Sequence, residues 1–120
     1  MYRLSQDTPA PSRRPNDYAA YAKAYLETSY MQPVSIQRIA AALHIDRRYL
    51  TNLFREAYGL PPQAYLMELR LEQAQRFLAQ GYAVTEAASL AGFSDLSNFS
   101  RQYKRRFGQC PSARRPQDRL

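Results

Sequence analysis

Two groups of polar residues in this chain could do chemistry. They are Arg48, Thr51, Asn52 and Arg55, and then Ser97, Ser100, Arg101 and Lys104. Each group is spaced i, i+3, i+4, i+7, which puts its members along one side of an α-helix. A guanidinium fork can pair with two acceptors, a carboxamide with one acceptor and one donor, and a hydroxyl with either kind. Those pairings match what base edges offer in the DNA major groove, guanine for arginine and adenine for asparagine. Neither group contains an acid, which phosphate would repel. Arg38, Arg47 and Arg105 flank the two faces and are candidates for phosphate contacts, which add affinity without reading sequence.

Other chemistry has little support. Cys110 is the lone cysteine and His44 the lone histidine, so neither a disulfide nor a four-ligand zinc site can form within the chain. No histidine-cysteine or paired-carboxylate constellation suggests a catalytic centre. The expectation is a protein that is not an enzyme and needs no cofactor.

The elements that position these faces can be read from punctuation and periodicity. A helix is expected from Asn16, a possible cap, with an apolar stripe of Tyr18, Tyr21, Ala22, Tyr25 and Leu26, ending at Met31-Gln32-Pro33. Ser35 caps a short helix through Ile36, Ile39, Ala40 and Leu43. After His44-Ile45, Asp46 caps a helix from Arg47 to Tyr58, with Leu50, Leu53, Phe54 and Ala57 inward and Gly59 at its end. Pro61-Pro62 opens a longer helix, Gln63 to Gln80, with two apolar stripes, Met67-Leu71-Ala74-Leu78 and Tyr65-Leu66-Leu69-Phe77, a pattern that asks for packing on two sides. A short helix from Val84 to Ala91, a break at Gly92-Phe93-Ser94-Asp95, with Asp95 at the N-cap, and a final helix from Leu96 to Phe107 complete the series. With no alternating strand pattern, the fold class expected is all-α.

The second half repeats the first. Ile36, Ala40, Leu43, His44 and Ile45 fall on Val84, Ala88, Ala91, Gly92 and Phe93 at an offset of 48, and Leu50, Phe54, Gly59 and Pro62 fall on Phe99, Tyr103, Gly108 and Pro111 at 49. Each unit reads as a helix-turn-helix, with a small residue (Ala40, Ala88) letting the second helix cross close to the first. The turn position favours positive φ, which makes His44 a turn residue rather than a ligand or base. The outward faces of the two second helices are the two polar groups above, matched position for position. Leu96, at the start of the last helix, points to its flank, where it could either pack locally or touch a thymine methyl, and packing is the role expected.

The chain has 120 residues and a net charge of +7, from 17 Lys and Arg against 10 Asp and Glu, which raises the prior for a polyanionic partner. No stretch nears the roughly 18 apolar residues of a membrane helix and the start lacks a signal-peptide pattern, so a soluble, cytoplasmic protein is expected. Residues 1–16, with Pro9, Pro11 and Pro15, read as a linker, which would place an effector-binding domain before this segment; a small stand-alone regulator is the alternative.

Three stretches carry a family resemblance: 48–55 (RYLTNLFR), 65–74 (YLMELRLEQA) and 91–108 (AGFSDLSNFSRQYKRRFG). On these the chain resembles the AraC/XylS family of bacterial transcription regulators, from about Tyr18 to Arg115. The resemblance implies an AraC-type DNA-binding domain over 17–115, with homeodomain-like helix-turn-helix subdomains 17–60 and 81–115, a linker helix 61–80 and a basic tail 116–120. It also implies sequence-specific binding of double-stranded DNA, regulation of transcription and contacts with RNA polymerase. Two recognition helices would enter successive major grooves roughly 34 Å apart. The family often has a small residue at His44, isoleucine at Ala87, a hydroxyl cap at Ala83 and a tyrosine before the last arginine, Arg115; the departures at Ala83 and Ala87 leave the tightness of that short helix open. A basic helical protein-interaction module is the competing reading.

Overall fold

A computed structural model describes residues 14–114. Of the expected linker, residues 1–13 lie outside the described residues, as do residues 115–120 at the other end. Among the described residues there are six α-helices, one short 3-10 turn and no strand, the all-α class that the periodicity called for. No described helix is long and apolar enough to cross a membrane. The chain divides into two compact units, one of residues up to Thr28 with Val34–Tyr65, the other of Ser29–Pro33 with Leu66 onward.

In the first unit, helix α1 (Pro15–Ser29) begins one residue before the cap expected at Asn16. Proline suits the first helical position because it needs no partner for an N–H it lacks and its φ is already helical. The N–H groups of Asp17 and Tyr18 therefore donate back to the Arg14 carbonyl, at 3.0 and 3.4 Å. Of the expected stripe, Ala22 and Leu26 are fully buried, Tyr18 and Tyr21 are half-buried and Tyr25 is exposed; Ala19, outside the stripe, is fully buried as well, because small residues let the helix lie close to its neighbours. Helix α2 (Ile36–Ala42) starts where Ser35 Oγ accepts the Arg38 N–H, at 3.2 Å, and buries Ile36, Ile39 and Ala40. Helix α3 (Arg47–Tyr58) buries Leu50 and Phe54 and leaves Ala57, expected inside, exposed. Phe54 packs against Tyr58 and Tyr65, with centroids 4.8 and 5.5 Å away. The Tyr65 hydroxyl donates to Glu27 at 2.6 Å, and Lys23 pairs with the same carboxylate at 3.0 Å.

Helix α4 (Pro62–Ala79) carries both stripes, but they divide more by position along the helix than by face. Tyr65, near its start, packs in the first unit, whereas Met67, Leu71, Ala74, Phe77 and Leu78 all belong to the core of the second. That core is completed by Ala87, Ala88 and Ala91, around helix α5 (Val84–Leu90), and by Phe99 and Tyr103 of helix α6 (Leu96–Phe107). An aromatic series Phe93–Phe99–Tyr103–Phe107, with centroids 4.8, 5.5 and 4.6 Å apart, runs through it. The two departures in α5 are both accommodated. Ala87 is fully buried, and Glu86 offsets the missing cap by accepting the Ala83 N–H at 3.1 Å.

The two tight turns are built alike. Ile45 N–H donates to Ala40 O at 3.0 Å and Phe93 N–H to Ala88 O at 2.9 Å, while His44 and Gly92 donate to Ala41 and Ser89. This is the Schellman arrangement, which needs a left-handed residue just past the helix. His44, φ 60°, and Gly92, φ 100°, fill that role, as the repeat predicts. Gly92 has a second constraint. A side chain there would run into the Tyr30 carbonyl oxygen and come within 2.9 Å of Arg70 Nε. Arg70 itself donates from Nε to Tyr30 O at 2.7 Å and from Nη2 to Gln32 O at 2.9 Å, holding segment 29–33 in the second unit. Burial lowers the guanidinium pKa, yet it stays charged at neutral pH, and the two carbonyls satisfy it.

Two outcomes follow for measurement. Gly92 and Gly108 both have positive φ, but a side chain at Gly108 meets nothing within 4 Å. In urea denaturation, Gly108→Ala should cost about 1 kcal/mol from backbone strain alone, and Gly92→Ala about 1–3 kcal/mol more. Equal losses would show that the Gly92 contact is unimportant. The Tyr65 hydroxyl, followed by Lys23, holds the Glu27 carboxyl below its ordinary pKa. A depressed carboxyl contributes stability above its unfolded pKa and loses it as pH falls through the folded one. NMR titration should thus find Glu27 below the usual glutamate range, and Tyr65→Phe should move it back up.

Candidate nucleic-acid interface

The direction of each outward helix is set by its cap. Asp46 Oδ2 accepts the Arg48 N–H at 2.9 Å, and Asp95 Oδ1 accepts the N–H groups of Ser97 and Asn98 at 3.0 and 3.2 Å. Both carboxylates are thereby engaged by helix N–H groups, where the helix dipole favours them. Gly59 and Gly108, both left-handed, close the far ends by donating to Arg55 O and Lys104 O. The caps and terminal hydrogen bonds of α3 and α6, and the turns that precede them, thus match across the repeat.

On α3, Arg48, Asn52 and Arg55 are exposed and Thr51 is half-buried. On α6, Ser97, Arg101 and Lys104 are exposed and Ser100, the mate of Thr51, is again half-buried. The short hydroxyl side chains sit deeper than the long basic ones in both units. Arg38, Arg47 and Arg105 are exposed as well. Among the described residues, no salt bridge engages any of these arginines or Lys104. Arg106 is different: its Nε and Nη2 both reach Glu68 Oε2 at 2.6 Å, a bond that raises its pKa and ties α6 to α4. Only Arg105 of that adjacent pair is left facing outward without an acid among the described residues.

In the first unit the structure brings part of the set together. Arg47, Arg48 and Thr51 line a cleft of about 510 Å³ with Gln37 and Asp46, and Arg47 lines a second of about 310 Å³ with Ser35, Gln37 and Gln63. Asn52 and Arg55 continue along α3. Gln37 was not singled out by the sequence pattern. Its place as an exposed polar residue in the first turn of α2, two residues after the cap Ser35 and one before the phosphate candidate Arg38, is the signal that could have found it. In the second unit the candidates stand along the exposed side of α6. A concavity on α5, lined by Tyr82, Thr85, Glu86, Ser89 and Leu90, includes none of them. Leu96 does not pack as expected. It is 44% exposed, because Phe99 and Tyr103 already close the core from within α6.

The arrangement presents, in each unit, a capped helix whose outward side offers hydrogen-bond donors and positive charge, the one acid in the first-unit cleft being the cap Asp46, which accepts the Arg48 N–H. Comparison with known proteins places it. A family model described as a helix-turn-helix domain matches residues 39–117. The HTH-type transcriptional activator RhaS of Pectobacterium carotovorum subsp. carotovorum is 34% identical over 94 residues, which cover 78% of this chain and 34% of that protein. This chain therefore spans about a third of the length of the curated relatives it matches. Among solved structures, a probable AraC family transcriptional regulator from Rhodopseudomonas palustris superposes with a TM-score of 0.75 at 31% identity, covering 86% of this chain and 98% of that one. The DNA-binding domain of AdpA, a global transcriptional factor solved with a target DNA, gives 0.74 at 28% identity, covering 79% of this chain and 86% of that one. With the family model spanning more than half its length, and a solved relative covered almost end to end, the chain belongs to the AraC/XylS family of transcription regulators.

Proposed function

We propose that this chain binds double-stranded DNA sequence-specifically and regulates transcription, with α3 and α6 each inserted in a major groove. The observation that carries the reading is the matched pair of acid-free outward faces, Arg48-Thr51-Asn52-Arg55 and Ser97-Ser100-Arg101-Lys104, each behind the same hydrogen-bonded turn. Arginine and asparagine on α3 suit guanine and adenine, and Ser97, Ser100, Arg101 and Lys104 suit a different set of edges. The two half-sites therefore differ, and the operator need not be a palindrome. Arg38, Arg47 and Arg105 contact phosphates, with Gln37 beside Arg47 in the same cleft as a further polar contact. The AdpA domain, solved with its target DNA, supports this reading. From the family resemblance we further propose that the protein works in the bacterial cytoplasm, contacts RNA polymerase and is joined to an effector-binding domain on its N-terminal side.

Binding profiled over a library of randomised duplexes tests the assignment. Arg48→Ala or Asn52→Ala should relax specificity in one half of the site and Arg101→Ala in the other, each at a cost of about 1–3 kcal/mol. Arg105→Ala should weaken all sequences alike and reduce the salt slope by about 1. Binding that ignores duplex sequence would refute the reading and favour a basic module that meets an acidic protein.

A further inference from the structure

Leu96 is the first residue of α6 and lies next to Ser97, with Ser100 and Arg101 within the following turn. Helical spacing puts it on the side of Phe99 and Tyr103, yet both of these are fully buried while Leu96 is 44% exposed. The core is closed without it. At the repeat offset of 49 its mate is Arg47, which lines the cleft shared by Arg48, Thr51 and Gln37. Leu96 thus occupies, in the second unit, the register position from which Arg47 in the first unit offers the charged donor assigned above to phosphate, a role an apolar side chain cannot take. Leu90 and Tyr82 are exposed to a similar degree, but they lie on or beside α5, in a concavity that holds no base-reading candidate.

The N-terminal residues of a recognition helix are the ones that reach base edges. In the major groove only thymine, of the four unmodified bases, presents a methyl group, and an apolar side chain is its natural contact. Resting on the DNA-binding reading above, we propose that Leu96 is a specificity-determining residue that packs against a thymine methyl in the half-site read by α6. Exchange of arginine for leucine at this register position gives the second unit a preference that its hydrogen-bonding face alone would not supply.

The methyl group can be removed without touching the protein. In the best duplex selected by the full 120-residue chain, each thymine is replaced in turn by deoxyuridine and the dissociation constant measured for wild type and Leu96→Ala. The half read by α6 is identified as the one whose specificity Arg101→Ala relaxes. One thymine in that half should show a loss of about three- to fivefold for wild type, the worth of burying one methyl group. Leu96→Ala, whose thermal unfolding should match wild type because the side chain is outside the core, should show no difference between thymine and deoxyuridine there. A half-site without thymine, a wild type indifferent to every methyl in it, or a loss that persists in Leu96→Ala overturns the contact. Failure to select any duplex overturns the DNA-binding reading and the methyl contact together, whereas the other results leave that reading standing.

Discussion

The hydrogen bond that closes each tight turn, Ile45 to Ala40 and Phe93 to Ala88, is the constraint on which the rest of each unit depends. It reverses the chain after a short helix within two residues and delivers the next helix across the first. Only a left-handed residue at the turn allows it. Once it forms, the following aspartate falls where it can cap the next helix, and the cap fixes which side of that helix faces out. The direction of Arg48 or Arg101 is thus inherited from a backbone bond a few residues upstream.

The two turns meet that constraint at different cost. His44 takes the left-handed conformation with its side chain exposed, so the penalty is backbone strain alone, which histidine bears better than most residues. Gly92 sits under the Tyr30 carbonyl and beside Arg70, where no side chain fits. The same turn is therefore open to substitution in the first unit and closed to it in the second. Arg70 ties these features together, because its two bonds to segment 29–33 hold in place the carbonyl that Gly92 must approach.

What was legible in the sequence was local or repeated. Caps at Ser35, Asp46 and Asp95, the left-handed His44 and the matched polar faces are written within a few residues of where they act, and the offset of 48 or 49 let each unit check the other. What was not legible depended on residues far apart in the chain. Periodicity placed Ala22 and Leu26 on the buried face of α1 but also Tyr25, which is exposed, and it passed over Ala19, which close packing buries. The role of Arg70 requires a partner about 40 positions away, and Gln37 joins the candidate site only because α2 folds against α3. Leu96, on the flank of its helix, was expected to pack because the wheel cannot show that Phe99 and Tyr103 already fill the space. Of the site itself, the residue types and their sides could be read, but the depth at which each sits, with Thr51 and Ser100 set back, could not.

The central claim is that two separate helices each occupy a major groove. Methylation protection on a bound duplex tests it most directly, because guanine N7 lies in that groove. Two protected blocks of different sequence, about 10 base pairs apart on one side of the duplex, are predicted. A single block, or protection confined to adenine N3 in the minor groove, would contradict it.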